Sequence, residues 1–343
     1  MTKLIFKDVG HGDSIILRKE NKESTSYFII DCCLKDDKNP VLEEIKNCEN
    51  KVIIELLFIS HGHLDHYSGA NALIKYCEKQ NIQIEIFSST LLAATHKFYR
   101  NTLGRNENIA LTKFLKNVYA LHQKNIIQEL FPPYAIQFSC QIDSNYTLTG
   151  LHPTLKYYEK FTESMDDYLS GTRESKPNLH SISTILKIQN KERIVLLTSD
   201  ATKTALKLIY HKYILGKDMI LNLTQSSHHG SKNNHSTIFN KIKRIDKCPV
   251  VFSCGYSQHK IPNKEVVDSF IGDDYKIFAT NAVYGIVDAI QGSEETEEIL
   301  KMIDLGFPLV EESKGQDLSG QHELNGDKFF DLKESEIAYI PQH

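Results

Sequence analysis

The sequence predicts an α/β fold, a sheet with a helical layer, that gathers metal-type ligands at its strand ends. Three observations lead there. A continuous apolar run at residues 52–60 reads as a buried strand and leads straight into His61-Gly62-His63-Leu64-Asp65-His66. Upstream, strand, glycine-rich turn, strand, hairpin, strand and short helix follow one another. A second apolar strand, residues 193–198, runs into Asp200.

The elements follow in chain order. Residues 3–9 alternate loosely as a strand, and Gly10-His11-Gly12-Asp13-Ser14 is a glycine-flanked turn. Residues 14–17 begin a second strand. Residues 27–30 form a third, ending at Asp31, after a polar hairpin loop at 20–26. Residues 40–47 read as a short helix. Residues 67–78 space Ala70, Leu73, Ile74 and Cys77 as a helix does, and 82–87 read as a strand. Residues 90–130 look like a helical insertion with a stripe of Leu111, Phe114, Leu115, Val118 and Leu121. Its His96, Lys97, Arg100, Arg105, Lys113, Lys116 and Lys124 form either a solvated face or a basic rim on the substrate side. Pro132-Pro133 and residues 141–150 mark strands and turns. Residues 152–178, with Pro153 and Pro177, read as a long polar loop. Residues 183–189 and 193–198 form a hairpin, and 201–213 a helix. Strands at 219–223, 249–253, 276–280 and 285–290 close the sheet.

Composition excludes several classes. Hydrophobic content of 41% and charge of 24% are those of an ordinary globular protein. No apolar run approaches the roughly twenty residues of a membrane helix. The first seven residues are too short and too charged for a secretory signal, so the cytoplasm is the expected location and no membrane partner is expected. Seven cysteines without a C-x-x-C pair predict reduced thiols rather than a disulfide framework. Residues 293–343 hold thirteen acidic and four basic residues, a balance of −9 against −4 for the whole chain, so residues 1–292 carry +5. The division expected is a body at 1–292 and an acidic C-terminal extension at 293–343 that offers a surface to a protein partner. Phe329-Phe330 and residues 337–340 are expected to dock on the body. A mildly basic body is compatible with a phosphate-bearing substrate.

Three imidazoles and a carboxylate within six residues are the ligands that zinc and similar ions prefer. His61 and His63 point the same way if strand geometry persists, while Asp65 and His66 open a helix, so the two pairs face two metal positions. More ligands are needed, and Asp200 and His228-His229-Gly230-Ser231 stand at later strand ends.

The motif H-x-H-x-D-H resembles that of the metallo-β-lactamase superfamily. The match is most detailed for the ComEC-like branch. That branch shows G-x-G-D-(S/A), I-D, the histidine motif, N-x-x-S, a strand ending in G-D, H-H-G-S, and S-x-G followed by H and P. Here these are residues 10–14, Ile30-Asp31, residues 61–66, residues 178–181, Ser199-Asp200, residues 228–231, and Ser253-Cys254-Gly255 with His259 and Pro262. His11, Ser199 and the inserted Lys260-Ile261 depart from the pattern, and the channel of the branch is missing. The resemblance implies an αββα sandwich of two mixed sheets with outer helices. It implies two divalent ions, Zn2+ or Mn2+, held by His61, His63, Asp65, His66, His180, a bridging Asp200 and one of the His228-His229 pair, with His228 assigned to the metal and His229 to a substrate oxygen though the sequence separates them little. Asp31 and Asp13 stand behind these ligands. Asp65, His229 and His259 are the implied catalytic residues, and Gly230 and Ser231 the implied substrate contacts. The chemistry implied is hydrolysis of a phosphodiester, in nucleic acid or a small molecule, by water activated between the metals. A hydrolase of a lactone, thioester or β-lactam is the alternative, and a non-catalytic partner subunit a third.

Overall fold

The computed structural model describes residues 2–93, 104–131, 138–290, 323–332 and 337–341. β1 (Thr2–Phe6), β2 (Ile15–Glu20) and β3 (Ser24–Ile30) form an antiparallel meander, and β4 (Lys51–Ile59), β5 (Ile84–Ser89) and β6 (Ile127–Phe131) continue it in parallel. The second sheet reverses that order. β7 (Ser139–Gln141), β8 (Thr147–His152), β9 (Ile185–Asn190) and β10 (Arg193–Leu197) are antiparallel. β11 (Ile220–Gln225), β12 (Pro249–Phe252), β13 (Lys276–Ala279) and β14 (Glu323–Leu324) then run parallel to β10. β15 (Lys328–Leu332) returns to the first sheet beside β1, followed by β16 (Ile337–Ile340). Both sheets are therefore mixed, with eight strands each among the described residues.

Three cores define the layers. Leu17, Phe28, Leu56 and Phe58 of the first sheet meet Leu186, Val195, Leu223 and Phe278 of the second. The outer face of the first sheet is covered by α1 (Pro40–Lys46), α2 (Leu64–Tyr67), α3 (Ala70–Gln80), α4 (Arg105–Gln123) and α5 (Leu155–Ser170). The outer face of the second is covered by α6 (Lys203–Ile209), α7 (Lys264–Gly272) and α8 (Gly285–Ile290). This is an αββα sandwich, each helix burying one apolar stripe as amphipathic elements must. None of the seven cysteines is paired. No helix among the described residues is long and apolar enough to cross a membrane.

The structure corrects several element expectations. The polar loop expected at 152–178 contains α5. Thr154 caps it by accepting from the Tyr157 amide, Gly171 ends it at φ +81°, and Tyr158, Phe161 and Met165 are buried one turn apart. Residues 285–290 form a helix rather than a strand, because Ile286, Val287 and Ile290 suit one helical face. The end of the expected helical insertion is β6. His96, Lys97, Arg100 and Pro132-Pro133 lie outside the described residues. Lys113 and Lys116 are solvent-exposed, and Lys124 pairs with Glu78. Phe330 and Leu332 are buried between the sheets, so residues 328–332 dock on the body as a strand.

Candidate metal centre

The parallel strands place their carboxyl ends together, where open α/β sheets hold their ligands. Asp31 follows β3, His61 to His66 follow β4, Asp200 follows β10, and His228 and His229 follow β11. The two sheets are tied at this end. Ser199 Oγ donates to Ser60 Oγ at 2.9 Å, and Thr184 Oγ1 donates to the Ser60 carbonyl at 3.0 Å. Ser199 stands at φ +43°, a left-handed backbone that glycine would adopt freely. Its side-chain bond to Ser60 and its amide bond to Gln225 Oε1 at 2.9 Å offset that strain.

Of three groups of ligand-type atoms here among the described residues, Asp13, Asp31 and His66 form one that lies behind, and two share Asp200. One is His61, His63, His180 and Asp200; the other is Asp65, His66, His229 and Asp200. In the first, His63 Nδ1 lies 3.0 Å from His61 Nε2 and 3.1 Å from His180 Nε2. Asp200 Oδ2 stands 3.6 Å from both His61 Nε2 and His180 Nε2. In the second, Asp200 Oδ1 is 3.5 Å from His66 Nε2 and 3.6 Å from His229 Nε2, and Asp65 Oδ2 is 3.4 Å from His229 Nε2. Asp200 thus offers one oxygen to each group.

The donor chemistry fits divalent cations. His66 Nε2, His229 Nε2 and Asp200 Oδ1 are buried without a hydrogen-bond partner, and all belong to the second group. Buried polar atoms left unpaired cost about 1–3 kcal/mol each, so three aimed at one point call for a shared partner. The outer nitrogens of the rings are fixed by the protein. His66 Nδ1 bonds Asp31 Oδ2 at 2.8 Å, His229 Nδ1 bonds the Ser253 carbonyl at 2.7 Å, and His61 Nδ1 is 3.2 Å from Ser60 Oγ. Such partners hold each Nε2 toward the site.

The electrostatics follow from burial and crowding. Burial favours a neutral Asp200, but His228, His66 and His229 outweigh it and hold the carboxyl well below its ordinary value. Asp65 is likewise held low against its burial by His66. Burial lowers His66, but Asp200, Asp65 and Asp31 raise it well above the usual imidazole value. The same opposition, led by burial against Asp200, leaves His229 raised to about 9. Burial dominates at His61, lowered well below its ordinary value, and at His180, lowered to about 3.

The two histidines of the His228-His229 pair stand differently toward these groups. His229 Nε2 stands in the second group, whereas His228 belongs to neither group and its side chain is 20% exposed at the mouth. Both residues are left-handed, at φ +49° and +52°, and this consecutive pair turns the second ring inward. His228 Nε2 is still 3.6 Å from Asp200 Oδ2, and its Nδ1 is held by Asn234 Oδ1 at 3.0 Å. Ser231 is buried and its amide donates to the His228 carbonyl at 2.9 Å, so that amide is not free for a substrate oxygen. Gly230 is also buried, with Pro262 and Phe252 where a side chain would begin. His259 is exposed on a turn and joins neither group. Asp31 and Asp13 stand behind the ligand set. Asp31 accepts the Ser60 amide and hydroxyl, each at 2.7 Å, besides His66. Asp13 lies 3.7 Å from His66 Nδ1, with neither oxygen hydrogen-bonded.

One residue at the centre had no assigned role. His11 lies between two glycines on the turn after β1, and its Nε2 reaches to 3.7 Å from Asp65 Oδ2. Its only sequence signal is its departure from the pattern around it.

No family model matches the chain, and no curated protein does. Among solved structures, the chain is similar to the metallo-beta-lactamase fold protein YhfI from Bacillus subtilis, with 10% identity, a TM-score of 0.44, and coverage of 83% of this chain and 98% of that one. It is similar to Zn(2+)-bound PqqB from Methylobacterium extorquens at 9% identity and TM-score 0.41, covering 81% and 97%. It is similar to a diphosphatase from the PhnP family at 11% identity and TM-score 0.38, covering 94% and 85%.

Proposed function

We propose that the chain is a metal-dependent hydrolase of the metallo-β-lactamase superfamily, of the ComEC-like kind, acting on phosphodiesters as a nuclease or small-molecule phosphodiesterase. The observation that carries the reading is the pair of His/Asp groups sharing Asp200, with three unpartnered buried atoms pointing into one of them. His61, His63, His180 and Asp200 would hold one divalent ion, and Asp65, His66, His229 and Asp200 a second. Zinc or manganese fits this set of imidazole and carboxylate donors. When bound, such a pair supplies a water that ionises near neutral pH and countercharge for the oxygens at the centre under attack.

The protein's own groups supply orientation. Asp65 has a 26% exposed side chain against 1% for Asp200, so it is the carboxylate of the ligand set that can also touch an incoming water. This reading gives the leaving-group contact to His228, whose side chain is 20% exposed, where the sequence reading gave His229 the substrate contact. The +5 charge of residues 1–292 is compatible with an anionic substrate such as a phosphodiester. The residues that carry the branch resemblance, Asp13, Asp31 and Ser253, all stand against the same rings.

The test is a panel of bis-p-nitrophenyl phosphate, single- and double-stranded DNA, RNA, a lactone and nitrocefin, with zinc or manganese present. Hydrolysis of the phosphodiesters, lost on chelation and restored by metal, is expected. Turnover of the lactone or nitrocefin alone would replace phosphodiester with carbonyl chemistry.

A further inference from the structure

His11 stands beside the second His/Asp group without belonging to it. Its ring centroid is 4.5 Å from that of His229, and its Nε2 is 3.7 Å from Asp65 Oδ2, beyond hydrogen-bonding reach. Its Nδ1 is buried and has no hydrogen-bond partner, so no bond turns the ring away from the mouth. The side chain is 18% exposed, beside the exposed edge of Asp65.

The turn beneath it is held from several sides. The Gly10 amide donates to Asp8 Oδ1 at 3.1 Å, and the Asp13 amide donates to the Asp65 carbonyl at 3.0 Å. A Cβ on Gly255 would lie 2.3 Å from the Gly10 carbonyl carbon and 2.5 Å from the His11 amide nitrogen, so a second backbone packs directly on this one. A Cβ on Gly12, at φ +144°, would lie 2.5 Å from the Asp65 carbonyl oxygen. These contacts fix the backbone that carries an imidazole unbonded to protein, partly exposed beside Asp65. That exposed side is where substrate oxygens must arrive if both His/Asp groups are closed from below. The Asp65 carboxylate favours a hydrogen on Nε2, and Nε2 carries one in that neutral tautomer and in the cation alike.

We propose that His11 is a catalytic residue that contacts substrate, its Nε2–H donating to a non-bridging oxygen on the phosphorus under attack. No proton is transferred: the hydrogen bond strengthens as charge collects on that oxygen. The inference rests on the phosphodiester reading for its substrate, and on the His/Asp groups alone for its geometry.

The experiment compares the full-length wild type with His11→Ala and His11→Gln, each loaded with zinc. Metal content is measured by elemental analysis, inorganic phosphate affinity by calorimetry, and kcat and KM on bis-p-nitrophenyl phosphate. His11→Ala is expected to keep its metal while phosphate binding and kcat/KM each fall roughly tenfold to a hundredfold, the range for a hydrogen bond to a charged group. His11→Gln, which keeps a donor, should recover part of both. Loss of a metal ion in His11→Ala overturns the proposal, because His11 is then a ligand. Equal phosphate affinity in wild type and His11→Ala also overturns it. A wild type that hydrolyses nothing, yet binds phosphate more tightly than metal-loaded His11→Ala, defeats the phosphodiesterase reading and upholds the contact.

Discussion

Replacing Asp31 with asparagine should damage one metal position and spare the other. Asp31 Oδ1 accepts the Ser60 amide at 2.7 Å, while Oδ2 accepts His66 Nδ1 at 2.8 Å and the Ser60 hydroxyl at 2.7 Å. The Ser60 amide can only donate, so an asparagine must keep its carbonyl oxygen there. Its NH2 then faces His66 Nδ1, and two donors cannot share that contact. The imidazole hydrogen moves to Nε2, the nitrogen aimed at Asp200 Oδ1 from 3.5 Å, and that nitrogen can no longer ligate. The backbone should tolerate the change, since Asp31 sits at φ +60° and asparagine accepts left-handed geometry. Loss of such a supporting carboxylate weakens metal binding about 10–100-fold, or about 1.4–2.7 kcal/mol. The assay is a zinc titration against a chromophoric chelator, resolving the two ions, with circular dichroism to confirm the fold. The weaker ion should shift by that factor and the other should hold. Two unchanged affinities would refute the tautomer argument. Equal weakening of both would show that Asp31 acts through Ser60 on the whole strand end.

Three further outcomes follow from the geometry. His229→Ala should lose about one zinc of an expected two, as a two-metal site requires, whereas His228→Ala should keep both and lose turnover by about two orders of magnitude; elemental analysis beside kinetics decides between them. Chelator-stripped protein should lose stability as pH rises from 6.5 through 9, with His66, also raised, adding to the loss from His229. His229 holds its proton up to about 9 when folded and 6.5 when unfolded, so its contribution is complete below 6.5 and gone above 9; denaturant melts across that range should show the slope, and a flat profile would contradict it. Truncation after Gly292 removes β14, β15 and β16, exposing the buried Phe330 and Leu332 positions, and should leave an aggregating chain by size-exclusion chromatography rather than a soluble body with a bare basic face.

The fold, and most of the residues that gather in the candidate site, were legible for a local reason. A buried strand announces itself by composition, and a ligand-type residue is conspicuous when it follows one directly, as His61, His63, Asp65, His66 and Asp200 do. What stayed hidden depends on backbone geometry or on contacts between distant segments. His228 and His229 are adjacent and chemically identical, so only two successive left-handed residues decide which ring enters the site. Helix α5 was masked by Pro153 and by a polar outer face, although Tyr158, Phe161 and Met165 carried its period. His11 is separated from Asp65 by more than fifty residues in sequence, and their approach is set by backbones packing at Gly255 and Gly12. The same logic explains why Ser199 is tolerated where the resemblance expects glycine. A left-handed serine costs about 1–2 kcal/mol, and one bond across the sheets to Ser60, itself tied to Asp31 and His66, can return a similar amount. Ser199→Gly should therefore change stability little. It should loosen Ser60 instead, and the measurable effect should fall on the ion held by His66: weaker zinc affinity with an unchanged melting temperature, where a purely structural serine would give the reverse.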